Sequence, residues 1–362
     1  MLYNWFFSIN SLEIFRYISF RSCLAAIIAF VISILFGYWF IKKLRVLKYS
    51  EDTTKTDSAE LKRMHDGKKN TPTMGGIVVL VSIFISILLC CDVYNIYVLL
   101  LLFTMIWLGA VGFIDDYIKL TQKNISGLNE VSKLLFQSAL GLILGLVLYF
   151  HFNKFTWGTQ IVIPFVNDFK LDVGPFYVLI VAFFIVGMSN AVNITDGLDG
   201  LAIGCSIIVG IALAVMAYVS GRVDFSKYLN IPYIPGSGEI VIFCSAFIGG
   251  GLGFLWYNSH PAQIFMGDTG SLTLGGILGL IAIIVKQEVL MVLLGGIFVV
   301  EAVSVIIQIS YYKTTKKRFF RCAPLHHHFQ FMGWSETKIT MRFWIVAALL
   351  AVISLLLLFV KR

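Results

Sequence analysis

Apolar positions in this chain gather into runs near twenty residues long, set apart by short polar breaks. A run of that length crosses a hydrocarbon core of roughly 30 Å when it coils into a helix. Runs read against breaks predict ten spans, at about 22–41, 75–91, 96–114, 131–150, 174–192, 201–219, 239–257, 270–285, 289–312 and 339–360. Membrane-spanning barrel strands would instead alternate apolar with polar positions. Trp344 to Val360 is apolar throughout except for Ser354, so the pattern excludes a barrel. The expectation is an all-α, polytopic membrane protein with one domain over residues 1–362. Its first span follows Arg16 and Arg21 and shows no small-residue cleavage pattern behind it. It therefore reads as a retained helix and not as a signal peptide.

Composition agrees with the pattern. Hydrophobic residues make up 58% of the chain and charged residues 13%, with a mean hydropathy of +0.87. A soluble surface needs about twice that charge density. The net charge of +8 does not point to nucleic acid, because the basic residues are segregated by loop. Nineteen of the 28 Lys and Arg residues fall within 42–72, 115–133 and 313–342. Loops rich in Lys and Arg stay in the cytoplasm, which puts both termini on the outer side. The six cysteines include no CxxC pair, and Cys90-Cys91 lies inside an apolar run, so neither a disulfide framework nor a zinc site is supported.

The remaining polar residues concentrate on that same cytoplasmic side. Asp115-Asp116, Asn193 through Asp199, Asn258 through Asp268, and His326-His327-His328 fall at span ends or in adjoining loops. Acids near a bilayer are costly without partners, so their convergence marks a working site. Asp115 and Asp116 are adjacent at the expected exit of the third span, where mutual repulsion and the helix dipole both disfavour them. Magnesium or phosphate chemistry accounts for the pair better than a solvated loop does. Asn193, Asp196 and Asp199 recur every three residues, one face of a helix if the stretch is helical; Gly197 and Gly200 allow a loop instead. Asp268 precedes Gly270, Ser271 and an apolar helix, whose free N–H groups suit a phosphate. A plain helix cap is the competing role for Asp268. Three consecutive histidines cannot all point at one ion, so diphosphate binding or loop fixing is preferred to zinc. Lys68 to Gly76 offers lysines, hydroxyls and glycines as a weak phosphate-approach surface.

Taken in order, TPTMGG, DDY, NITDGLDGL, NSHPAQIFMGDTGSL and APLHHHF resemble the phospho-N-acetylmuramoyl-pentapeptide transferase family over almost the whole chain. Asn70 and Gln330 depart from residues usual in that family. The wider polyprenyl-phosphate N-acetylhexosamine-1-phosphate transferase superfamily shares the acidic clusters. The resemblance implies transfer of phospho-MurNAc-pentapeptide from UDP-MurNAc-pentapeptide to undecaprenyl phosphate, giving lipid I and UMP. It implies Mg2+ held by Asp268, with Asp115 and Asp116 serving the lipid phosphate and Asn193 and Asp196 lining the cleft. Lys123, Gly197, Leu198, Asp199 and Phe265 would form the uridine pocket. Lys68 and Thr73 would lie near the phosphates and His326, His327 and His328 near the sugar-phosphate, with Asn258, Gly267 and Ser271 also at the substrate. A homodimer in the bacterial inner membrane is implied too. Attack by the lipid phosphate and a phospho-aspartate route both remain open. A secondary transporter is disfavoured, because the acids gather on one face and no repeat is evident. A UDP-GlcNAc transferase is the nearest enzymatic alternative.

Overall fold

The structure is a computed structural model that describes residues 13–47, 71–121, 127–155, 157–162 and 170–359. Helices dominate: α1 (Ile18–Leu47), α2 (Gly76–Cys90), α3 (Ile96–Thr121), α4 (Glu130–Phe152), α5 (Tyr177–Thr195), α6 (Leu201–Ser220), the short α7 (Val223–Leu229), α8 (Gly238–Asn258) and α9 (Gly267–Ile284). They continue with α10 (Glu288–Leu294), α11 (Gly296–Thr315), the short α12 (Leu325–Phe331) and α13 (Glu336–Phe359). Between α4 and α5 a small antiparallel hairpin pairs β1 (Gln160–Val162) with β2 (Lys170–Asp172), Ile161 facing Leu171. Among the described residues nine helices are long and apolar enough to cross a membrane, and α2 is a shorter apolar one. The chain is thus an all-α, multi-pass membrane protein.

Each of the ten expected spans coincides with helix, but two differ in form. The ninth is broken, α10 stopping at Gly295 and α11 restarting at Gly296. Paired glycines are a common cause of such breaks, and a side chain on Gly296 would meet Leu350. Beyond the break only Ile297, Phe298, Glu301 and Ser304 of α11 are buried, a narrow stripe on an otherwise outward-facing helix. The second span is the other exception. At 15 residues α2 rises only about 22 Å, less than the hydrocarbon thickness. A non-helical stretch, Thr71 to Met74, leads into it.

Non-helical backbone beside a span is tolerated only where protein or water satisfies its polar groups. Here the loop before α9 does so. Phe265 N–H donates to the Pro72 carbonyl, Gly75 N–H to the Phe265 carbonyl and Gly76 N–H to the Met266 carbonyl, each at 2.8 Å. Gly76 also lies so close to the Gly270 backbone that a Cβ would collide with it.

At the centre stands α9, buried at every residue from Thr269 to Ile284 and packed against α3 and α5. The opposite ends of the bundle are marked by different chemistry. At one, Arg21 of α1 pairs with Glu239 of α8 at 2.7 Å and donates to the Cys90 carbonyl at the end of α2. The other end collects the acidic residues.

Candidate active site

The C-terminal part of α3, the start of α9 and the end of α5 meet at that acidic end. Carboxylate oxygens of Asp115, Asp116 and Asp268 lie within 4.8 Å of one another. Like charges this close in a low dielectric need compensation. Two lysines provide it. Lys119, one turn after Asp115 on α3, stands 2.7 Å from Asp115 Oδ2 and 3.3 Å from Asp268 Oδ2. Lys133 reaches in from the first turns of α4, 2.9 Å from Asp115 Oδ2 and 2.7 Å from Asp268 Oδ2. Asp115 Oδ1 accepts the Leu128 N–H at 2.7 Å.

Asp116 is compensated differently. It accepts the backbone N–H groups of Asp268 (3.1 Å) and Thr269 (3.0 Å) and the Thr269 hydroxyl (2.6 Å). A carboxylate on α3 therefore satisfies the open N-terminus of α9, where the helix dipole favours negative charge. Gly267 makes room: its φ is +73°, and a Cβ there would crowd the Asp116 carboxylate.

Three expectations change as a result. The acidic pair does not sit at a helix C-terminus, because α3 runs on to Thr121. Two of the α9 N–H groups expected to face a phosphate, those of Asp268 and Thr269, are taken by Asp116. Asp268 is not the cap of α9; Met266 holds that position, and Asp268 turns its carboxylate to the lysines and to Asn193. Asn193 Nδ2 lies 2.8 Å from Asp268 Oδ1 and 2.8 Å from Ser271 Oγ.

From Asn193 the chain runs through the rest of the site. Helix α5 ends at Thr195 with Asp196 as its C-cap, so the three-residue recurrence is helical only at its start and 196–200 forms a turn. Gly200 takes a φ of +73° there. Asp196 is half-buried and Leu198 buried. Asp199 accepts from His260 Nδ1 at 3.0 Å and from the Ala262 N–H at 3.1 Å. Its own N–H donates to Glu336 Oε1 at 2.8 Å. Asp199, His260 and Glu336 thus form a second close group. Asn258 accepts the Gly200 N–H and donates to the Ile264 carbonyl, tying this turn to the loop before α9.

The histidines diverge, as their adjacency requires. His326 points inward: its N–H and Nδ1 each lie 3.1 Å from an oxygen of Glu301. The Glu301 carboxylate thus holds the ring by its Nδ1 edge and turns Nε2 the other way. Nε2 has no hydrogen-bond partner and rests against Gly197, where a Cβ would collide with it. His327 Nδ1 lies 2.7 Å from Gln330 Oε1, and His328 Nδ1 accepts the Arg321 N–H.

Lys119, Lys133, Thr269, Glu301 and Glu336 were not singled out from the sequence. Two signals pointed to some of them: Lys119 stands one turn from Asp115, and Glu301 interrupts an apolar span. The TPTMGG segment has a packing role beside the one expected of it. Thr73 is buried, and Gly75 and Gly76 serve the packing of α2 on the loop before α9. Phe265, half-buried, is held by its backbone on both sides of that contact. Lys68 and Lys123 lie outside the described residues.

The site falls within a stretch recognisable among known proteins. Residues 98–286 match the glycosyl transferase family 4 description, which takes in Asp115, Asp116, Asn193, Asp196, Asp199, Asn258, Phe265 and Asp268. Residues 68–80 match phospho-N-acetylmuramoyl-pentapeptide-transferase signature 1, a stretch that includes Pro72, Gly75 and Gly76, which pair with the loop before α9. Over half of the chain lies in the first match, and the chain belongs to glycosyl transferase family 4, as a membrane glycosyl-1-phosphate transferase of the phospho-N-acetylmuramoyl-pentapeptide transferase type.

Proposed function

We propose that this protein transfers phospho-MurNAc-pentapeptide from UDP-MurNAc-pentapeptide to undecaprenyl phosphate with Mg2+, at the cytoplasmic face of the bacterial inner membrane. The observation that carries the reading is the meeting of Asp115, Asp268 and Asn193 with Lys119 and Lys133 at one end of the bundle. An oxygen of the lipid phosphate attacks the sugar-linked phosphorus. The bond from that phosphorus to UMP breaks, UMP leaves with the electron pair, and a new diphosphate joins sugar to lipid. Both reactants are anions, so the protein's task is to position them and offset their charge.

Lys119 and Lys133 bring positive charge beside Asp115 and Asp268, where two phosphates must approach. Asp115 takes the last proton of the lipid phosphate. Asp116 holds the N-terminus of α9 and so sets the position of Asp268. The donor set is all oxygen, as a hard divalent cation requires, and Asp268 with Asp115 would hold Mg2+. Bound there, Mg2+ supplies neutralisation of the diphosphate charge and a better leaving group. Gly197, Leu198, Asp199 and Phe265 serve the uridine side, and His326 with its open Nε2 serves the sugar-phosphate.

The test is direct. Purified protein is incubated with UDP-MurNAc-pentapeptide, undecaprenyl phosphate and Mg2+, and UMP and lipid product are measured. Both should form, and omission of Mg2+ should abolish both. UMP release with UDP-GlcNAc but not with UDP-MurNAc-pentapeptide would move the protein to the neighbouring activity.

A further inference from the structure

A second polar cavity lies at the same end of the bundle, behind the loop that precedes α9. It encloses about 370 Å3 and is lined by Tyr38, Ile41, Lys42, Arg45, Val46, Tyr257 and Gln263. The first five recur along one face of α1. Tyr257 closes the back, its hydroxyl donating to the Ile34 carbonyl at 2.9 Å. Gln263 forms the wall toward the site; its N–H donates to the Tyr257 carbonyl at 2.8 Å. Among the described residues no acidic side chain lines the cavity.

Its depth in the bilayer follows from α1. Thirty residues rise about 45 Å, well beyond the hydrocarbon core. Tyr38 and Trp39 are 66% and 51% exposed, an aromatic pair of the kind that sits at the membrane–water interface. Lys42 and Arg45 follow at one and two turns, about 6–10 Å further out, where the leaflet's phosphates lie. Neither has an ion-pair partner among the described residues. Lys43, between them, points elsewhere and stacks over Trp39 at 4.9 Å. Basic residues that only record topology need no cavity; these two share one with a tyrosine and an amide.

We propose that the Lys42–Arg45 cavity binds the phosphate headgroup of an anionic phospholipid of the surrounding leaflet. Both cations face the phosphate, Gln263 offers a hydrogen bond to the headgroup, and Ile41 and Val46 receive the start of the acyl chains. Because Gln263 stands two residues before Phe265, the bound lipid braces the loop that frames the active site.

The test uses the full-length protein, delipidated in neutral detergent and titrated with phosphatidylglycerol under native mass spectrometry. The unaltered protein should retain phosphatidylglycerol in preference to phosphatidylcholine. A Lys42→Gln/Arg45→Gln variant should bind it about thirtyfold more weakly, from roughly 1 kcal/mol per basic residue near the surface. A Lys313→Gln/Lys317→Gln variant removes the same charge from the same end outside the cavity and should leave retention within about twofold. Equal losses in the two variants would reduce the effect to the general surface field and overturn the proposal. So would displacement of the lipid by millimolar inorganic phosphate, which would make the cavity a site for soluble anions.

Discussion

Asp115 and Asp116 are neighbours in sequence with the same side chain, yet their surroundings separate them. Asp115 faces two ammonium groups, whereas Asp116 faces the start of a helix. Substitution should separate them too. Asp116→Asn replaces an accepting oxygen by an NH2 group that cannot receive the α9 N–H groups, and loss of that charge at a helix N-terminus costs on the order of 1–2 kcal/mol. Its melting temperature should fall together with its activity. Asp115→Asn should lose activity with little change in melting temperature, and equal thermal losses in both would refute the division of labour. Asp268→Asn removes the one carboxylate shared by both lysines and Asn193. Turnover should drop by roughly 10²–10³, the cost typical of deleting a preorganised electrostatic group; near-normal turnover would sink its assignment as the metal ligand. Phe265→Ala offers a contrast. Loss of base stacking, on the order of 1–3 kcal/mol, should raise the KM for UDP-sugar roughly ten- to hundredfold while the KM for undecaprenyl phosphate stays put. A parallel rise in both, with a lower melting temperature, would make Phe265 a packing residue of the loop.

At the scale of elements, the long spans were legible because length and apolarity alone decide them. The break at Gly295 was not, since apolar residues flank it on both sides and the surrounding lipid accepts either half. Contacts between distant segments were equally hidden. Nothing near Asp116 in sequence announces that it closes α9, and nothing in TPTMGG announces that its backbone pairs with Phe265 and Met266. The candidate residues were found because charge is conspicuous in an apolar chain; their partners were missed because partnership is a property of packing. Glu301 shows both halves of this. It stands out as an acid within a span, but only the fold shows that it holds His326, the second residue of α12. Glu301→Gln keeps an oxygen for the His326 backbone N–H but can turn an NH2 group toward Nδ1, which loosens the hold on the ring. Activity should fall roughly ten- to hundredfold, as when a working histidine loses the group that orients it, with little change in melting temperature. Normal turnover would make Glu301 merely a buried support.

For the whole molecule, the bundle has two chemically distinct ends, and the mechanism depends on which faces the nucleotide sugar. The Arg21–Glu239 pair marks one end, together with the hairpin between α4 and α5. The acidic site and the Lys42–Arg45 cavity mark the other. A soluble UDP-sugar is made in the cytoplasm, so the proposed reaction requires the acidic end to face inward, the orientation that the distribution of Lys and Arg favours. Cysteine labelling in intact cells measures this. Replacing Cys23 and Cys322 with serine removes the accessible native thiols, since Cys90, Cys91, Cys205 and Cys244 are buried. In that background Lys154→Cys, exposed before the hairpin, should react with a membrane-impermeant maleimide. Lys317→Cys, exposed beyond α11, should react only after the membrane is permeabilised. Each substitution removes a single positive charge, too little to upset a balance in which nineteen of the 28 basic residues fall in three loops. The reverse labelling pattern would put Asp268 and its lysines outside the cell, away from any nucleotide sugar, and the proposed reaction would fail with it.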